Sequence, residues 1–159
     1  DIIQRAVSAE KAKNLYINNC YFQDNYFAIS NKYCNGYIEF NEFSNNYYDL
    51  YYSKVSTSLH NEIHYNNFYK SYYKSIYLTG EINNITNNNF YGLTDHFIYI
   101  LLPFTPFSMV YRDVNATNNY WAVEEVSQYL ADAEDDPRCP YHIIYSPKLA
   151  NPVRDAGIQ

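Results

Sequence analysis

The side chains that could perform acid–base chemistry are spread along the chain and form no recognisable cluster. Hydrolysis needs two or three carboxylates close together, and calcium-assisted elimination needs a carboxylate cluster beside a basic residue. The carboxylates predicted to face outward are Asp24, Glu39, Glu42, Asp49, Glu62, Glu81 and Asp95. Glu39 and His64 share one column of the repeat described below, but Thr86 and Thr117 continue that column. The sequence therefore predicts no catalytic site, with an active site upstream of Asp1 as the alternative.

Metal or cofactor binding is not indicated either. His60 and His64 lie four residues apart, a spacing that suits metal ligands on a helix, whereas this segment has the composition of a strand. The acidic segment 132–138 lacks a recognised calcium-ligand spacing. The three cysteines are Cys20, Cys34 and Cys139. They follow no metal-ligand spacing and leave two possibilities open, one disulfide or three idle thiols.

Tyrosine is the most unusual component, with 21 Tyr and 9 Phe in 159 residues. Tyr51, Tyr77 and Tyr99 each follow an apolar position that recurs along the chain. If those apolar residues point inward, the three tyrosines stack on one outer face. Rings with polar tips suit contacts with sugars or with another protein. The alternative is that tyrosine merely fills strand positions in a chain rich in Tyr and Asn.

Two Asn-x-Thr sequons begin at Asn84 and Asn115. Both are candidate N-glycosylation positions if the chain passes through a secretory pathway. Asn84 is the better candidate because it is predicted at a turn before a strand. Asn115 lies in a motif close to the predicted sheet.

A six-residue unit recurs, with an aliphatic residue first, Asn mostly fourth and an aromatic residue sixth. Its copies begin at Ile17, Ile38, Ile63, Ile85 and Ala116. The sixth positions are 43−22 = 21, 68−43 = 25, 90−68 = 22 and 121−90 = 31 residues apart. A second apolar column follows the same rhythm at Val7, Ile29, Leu50, Ile76 and Ile98. This period predicts an all-β fold, a single-stranded parallel β-helix of about five coils.

The fourth position of the unit is predicted to form an internal Asn ladder. Its members are Asn41, Asn66, Asn88 and Asn119. Asn tolerates the left-handed conformation that a sharp corner needs, and its amide can bond to the next amide in the stack. Cys20 occupies this position in the first coil, so the ladder is expected to begin one coil later.

The amino-acid composition changes after Trp121. This change predicts β-helix coils over residues 1–121 and a C-terminal cap over residues 122–159. Val123, Val126 and Leu130 stand at helical spacing and predict a short capping helix. The segment 141–145 reads as a final strand. A cap of this kind would cover the apolar residues of the last coil.

The segment from Asn115 to Trp121, followed by a predicted helix and a strand ending at Pro147, resembles the closing segment of pectate-lyase-like proteins. In that superfamily Asn-Asn-Trp-Trp-Gly or Asn-Tyr-Trp-Gly precedes the helix, and this chain has Ala122 in place of the glycine. The resemblance covers residues 14–150 and implies a right-handed parallel β-helix. It implies little about function, because the superfamily holds lyases, hydrolases, epimerases, adhesins and surface stalks.

Charge and hydropathy narrow the function classes. A net charge of −6 argues against a nucleic-acid partner, which would need a basic surface. The most apolar run, 97–104, is about half as long as a membrane span and contains Pro103. No signal peptide follows Asp1, so we expect the natural chain to begin further upstream.

These observations favour an extracellular structural or adhesive module of a cell-surface or filament-forming protein. Head-to-tail stacking of such modules is the expected mode of self-association. The alternative function is a carbohydrate-binding or polysaccharide-processing β-helix that uses the tyrosine face, with glycans as partners.

Overall fold

The chain folds into three parallel sheets. The computed structural model describes residues 4–53, 61–79, 84–92, 94–101, 112–131 and 141–159. The first sheet contains β1 (Arg5–Glu10), β4 (Phe27–Lys32), β7 (Tyr48–Ser53), β10 (Lys74–Thr79), β13 (His96–Ile100) and β16 (Leu130–Ala131), in that order. The second contains β2 (Asn14–Asn18), β5 (Asn35–Glu39), β8 (Asn61–His64), β11 (Asn84–Thr86), β14 (Arg112–Asn115) and β17 (Tyr141–Ile144). The third contains β3 (Tyr21–Gln23), β6 (Glu42–Ser44), β9 (Asn67–Tyr69), β12 (Asn89–Tyr91) and β15 (Tyr120–Trp121).

Each strand pairs in parallel with the strand three places further along, which confirms the predicted all-β parallel β-helix. The described strands make a solenoid of about four turns. The sequence predicts about five coils, and residues 102–111 lie outside the described residues. Both predicted columns are in register: Ile29 pairs with Leu50, and Phe43 with Phe68.

The core consists of like side chains stacked on one another. Phe22, Phe43, Phe68, Phe90 and Trp121 follow one another with ring centroids 4.4–5.2 Å apart. The aliphatic columns beside these rings are also buried. Because every coil covers the apolar side chains of its neighbours, burial and ring stacking stabilise the stack along its whole length.

The corner between the second and third strands of each coil contains a left-handed residue directly before the ladder position. These residues are Asn19, Phe40, Tyr65, Asn87 and Asn118, with φ between 53° and 58°. The prediction that the ladder asparagines themselves supply this conformation is therefore wrong. Their side chains are used for hydrogen bonds, while the strained backbone lies one residue earlier and is aromatic in two coils.

The alternation of inward and outward side chains is interrupted near the start of β4 and β7 in the first sheet. Ala28 and Ile29 are both fully buried, and so are Asp49 and Leu50. The backbone bends there as it enters the strand, which turns two consecutive side chains inward. The prediction that Asp49 faces outward is therefore wrong.

The segment after Trp121 is less helical than predicted. A single 3-10 turn, Val126–Tyr129, replaces the expected helix, and Leu130 then enters the first sheet opposite Ile98. Leu130 thus extends the apolar column by one position, which its helical spacing from Val126 concealed. The described part of the chain contains no helix with the length and hydropathy of a membrane span.

Candidate functional site

The predicted asparagines form a continuous ladder inside the corner. The Nδ2 atoms of Asn41, Asn66 and Asn88 each donate to the Oδ1 of the next ladder residue, at 3.1, 3.0 and 3.2 Å. Each accepting Oδ1 also receives a hydrogen bond from the backbone N–H of the same donor residue, for example from the Asn41 N–H to Asn66 Oδ1. All four ladder residues are fully buried.

The ladder also binds the backbone of adjacent coils. The Asn66 amide donates to the carbonyls of Ile38 and His64, at 2.8 and 2.9 Å. Cys20 begins the series differently, since its N–H donates to Asn41 Oδ1 while its thiol donates to the Asn18 carbonyl. Because these polar groups bond to one another within the bend, they can be buried without the cost of unpaired donors.

The three predicted tyrosines stack on the outer face of the first sheet. Tyr51 and Tyr77 have ring centroids 5.1 Å apart and Tyr77 and Tyr99 5.6 Å, with interplanar angles of 8° and 12°. Rings stacked this way use their flat faces on one another. The stack therefore presents ring edges and hydroxyl groups to solvent, and its contact with sugars or with another protein stays a prediction.

Two hydroxyl groups on this face, those of Tyr77 and Tyr48, have a raised pKa and stay protonated. Partial burial, followed by the neighbouring hydroxyls of Tyr51, Tyr99 and Tyr73, raises the pKa of Tyr77 to about 12. Burial, with smaller effects from surrounding tyrosines, also raises the pKa of Tyr48. Phenols in this state can both donate and accept hydrogen bonds at any physiological pH.

Lys74 lies among these rings and was not predicted as part of the site. Its Nζ is 3.5 Å from the ring centroid of Tyr73 and 4.0 Å from that of Tyr99, and the side chain is only 3% exposed. Ring faces attract a cation, which compensates in part for its lost hydration. Its register column contains Arg5, Phe27, Tyr48 and His96, and Lys74 follows the two aromatic members.

Tyrosine stacks also occur away from this face. Tyr16 stacks on Tyr37, with ring centroids 4.7 Å apart, and Tyr69 stacks on Tyr91 at 5.0 Å. Tyr52, which follows Tyr51 in β7, points inward and is buried at 2% exposure. Aromatic stacking therefore occurs on several surfaces of this solenoid. The face around Tyr77 differs from the other stacks because it contains the buried cation of Lys74.

A second unpredicted feature is a buried carboxyl group. Asp49 Oδ1 accepts a hydrogen bond of 2.9 Å from Asn46, and Oδ2 accepts one from Ser71, whose Oγ is 2.8 Å from that of Ser75. Burial raises the pKa of Asp49 to about 7, although hydrogen bonds from Ser71 and Asn46 favour the charged form. This carboxyl group is therefore part of the folded core rather than of a surface site.

The predicted carboxylate–histidine column forms one half-buried pair. Glu39 Oε2 lies 3.2 Å from His64 Nε2 on the outer side of the second sheet. Within the described residues, no group of three or more His, Cys, Asp or Glu side chains is arranged to hold a metal ion. His60, Glu81, Cys139 and the acidic segment 132–138 lie outside those residues.

The two sequon asparagines are neighbours on the outer side of the second sheet. Asn115 Nδ2 donates to Asn84 Oδ1 at 3.0 Å, and Asn84 Nδ2 donates to Glu62 Oε1 at 3.0 Å. Asn84 lies within β11 rather than at a turn. Because adjacent strands are about 4.8 Å apart, two glycans attached here would crowd one another.

Two cysteines lie in the described part of the chain, and both are free thiols. Cys34 is buried, and its Sγ donates to the Lys32 carbonyl at 3.3 Å, while Cys20 is half-buried.

Comparisons with family models, with curated proteins and with solved structures give no match. The functional reading of the chain therefore depends on its own geometry.

Proposed function

We propose that this chain is an extracellular structural or adhesive module whose first coil docks on a further coil. That coil would belong to the same chain or to a neighbouring subunit. The main support for this proposal is that a cap covers one end of the stack and the first coil is open at the other. Among the described strands, β1, β2 and β3 are the sheet edges at one end, and β16, β17 and β15 are the edges at the other end, where a cap lies. Unpaired edges of this kind offer backbone hydrogen bonds to another strand.

The aromatic stacks support docking at this end. Tyr16 and Tyr26 are the first rings of their stacks and are 63% and 41% exposed. Each has a ring of the next coil against one face, Tyr37 and Tyr47 respectively, with centroids 4.7 Å apart. A further coil could therefore continue both the sheets and the stacks.

The opposite end carries a cap. Val126 of the 3-10 turn and Leu130 of β16 are buried over the last coil, at 3% and 6% exposure. In the closing segment, Trp121 stacks on Phe90 and Asn119 ends the ladder. This agreement with the closing motif supports a proposed place in the pectate-lyase-like superfamily. A module capped at one end and open at the other suits the tip of a longer stalk or filament.

A charge placed at the open end is expected to weaken self-association. Replacing Tyr16 by arginine should raise the dissociation constant of the assembly at least about tenfold, because a docking coil would have to bury an unpaired charge and could not continue the ring stack. Sedimentation velocity across a concentration series measures this constant. Tyr72→Arg is the matched control, since Tyr72 is 60% exposed but does not begin a ring stack.

Equal association of the Tyr16→Arg and Tyr72→Arg chains would place the contact elsewhere and contradict docking through the open end. A wild-type chain that stays monomeric at every concentration would contradict self-association through this edge.

The tyrosine face supports a second candidate function, binding of an extended glycan. Its hydroxyl-bearing edges repeat every 5.1–5.6 Å along the stack, beside the Lys74 cation. A ligand that carries regularly spaced hydroxyl groups could bond to successive phenols.

Replacing Tyr51, Tyr77 and Tyr99 together by phenylalanine should abolish glycan retention on an affinity column without unfolding, because phenylalanine keeps the stack and removes the hydroxyls. Tyr16→Phe with Tyr37→Phe provides a control stack of the same type. Retention unchanged in the triple variant, or absent in the wild type, would eliminate this candidate.

A further inference from the structure

Residues 147–159 run back along the solenoid, across the corners of successive coils. This return segment begins beside Asn119, whose carbonyl accepts the Leu149 N–H at 2.9 Å. It then passes Asn89 and Asn67, and the Gly157 N–H donates to the Tyr65 carbonyl at 2.8 Å. The Gln159 N–H donates to Asn19 Oδ1 at 3.2 Å. A single extended segment thus contacts coils from the capped end to the open end.

The surface beneath it binds the backbone of the segment. Asn89 accepts the Val153 N–H at 2.6 Å and donates to the Val153 carbonyl at 2.9 Å. Asn67 donates to the Ala156 carbonyl at 3.2 Å. A 2.9 Å hydrogen bond from Asn89 to Asn67 fixes both side chains. We call Tyr65, Asn67, Asn89 and Glu42 the peptide seat.

One position of the return segment must be glycine to fit the peptide seat. Gly157 has φ +91°, and a Cβ placed there would lie 2.3 Å from Asn67 Nδ2 and 3.0 Å from Glu42 Oε1. Any other residue at this position would be strained in its backbone and would displace Asn67. The seat therefore recognises an extended backbone with glycine at a fixed place.

The segment is held by backbone bonds rather than by a buried apolar anchor. Its side chains are mostly exposed, Ile158 at 46% among them. A cleft of about 540 Å³ is lined by Arg154 and Ile158 of the segment and by the stacked rings of Phe40 and Tyr65. Segments with few buried apolar contacts open at low free-energy cost compared with core strands.

We propose that the peptide seat is also a docking surface for the return segment of a second copy of this chain, so that two copies exchange segments. The contacts made by an exchanged segment are identical to those made within one copy, which makes exchange a low-cost route to association. The inference does not depend on the proposed function, because it uses the side of the solenoid and not its open end.

Two full-length variants test the exchange by complementation. Asn89→Ala removes the seat's paired hydrogen bonds but keeps the segment intact, and Gly157→Val spoils the segment but keeps the seat. Neither variant alone can exchange productively, whereas in a mixture the segment of the first can occupy the seat of the second. Sedimentation equilibrium should show a 1:1 complex at least about tenfold tighter than the self-association of either variant.

A peptide provides a second measurement that does not require Asn89→Ala to fold. A synthetic peptide of residues 150–159 is added to the Gly157→Val chain, and the side-chain amide signals of Asn67 and Asn89 are followed by NMR. Saturable shifts are expected up to ~5 mM peptide, the range of effective concentrations within one chain. A peptide carrying Gly157→Val should bind at least about tenfold more weakly.

The proposal is overturned if the mixed variants, both folded by circular dichroism, form no complex. It is overturned equally if the wild-type and Gly157→Val peptides bind alike. Peptide binding without any complex between whole chains would restrict the seat to its own segment and would also reject exchange.

Discussion

Replacing Asn66 by alanine is expected to lower the free energy of unfolding by about 3–5 kcal/mol, among the largest effects of a single substitution. The change removes the donations to the carbonyls of Ile38 and His64 and to Asn88 Oδ1. It also leaves the N–H and side-chain amide of Asn41 without the Oδ1 that accepts them. Several buried polar groups would then be unpaired at once. Denaturant titration followed by circular dichroism measures the loss.

Asn18→Ala is the matched control, because Asn18 is exposed on the outer side of β2. Its effect should stay within about 0.5 kcal/mol. If Asn66→Ala cost no more than Asn18→Ala, the ladder would contribute no measurable stability.

Replacing Asp49 by asparagine is expected to stabilise the fold at alkaline pH and to remove a pH dependence. The pKa of Asp49 rises from 3.8 to about 7 on folding because of burial. An acid whose pKa is higher in the folded state stabilises that state while the acid is protonated. This contribution is complete below pH 4. That contribution is lost as pH rises through 7. The shift corresponds to about 4 kcal/mol, of which about 3 kcal/mol falls between pH 5 and pH 8.5.

Stability curves of wild type and variant, measured by denaturant titration at several pH values, test this expectation. Their difference should grow as pH rises from 5 to 8.5. Asp24→Asn is the matched control, because Asp24 is exposed and left-handed, a conformation that asparagine tolerates. Parallel curves for wild type and Asp49→Asn would mean that Asp49 is not the buried titrating group.

The strand columns could be read from the sequence because each coil repeats the same inward positions. Ile17, Ile38, Ile63 and Ile85 all lie in buried strand positions, and the ladder residues recur with them. Stacking requires like residues at like places, so the period of the sequence is the period of the structure.

Features that depend on backbone direction within a coil could not be read in this way. Asp49 was assigned to the surface by strict alternation, and the bend before Leu50 turns it inward. Leu130 stands at helical spacing from Val126 but belongs to β16. The return segment lacks any repeat, and its partners Asn67 and Asn89 lie 89 and 64 residues from Ala156 and Val153.

The proposed function places this chain in an elongated stack that continues through further coils docked on β1, β2 and β3. Electron microscopy of the native material, with the intact parent chain identified by mass spectrometry, tests it most directly. We expect rods or filaments much longer than the ~20 Å that about four coils span at ~4.8 Å each. Compact particles no longer than this module, at every concentration, would contradict it.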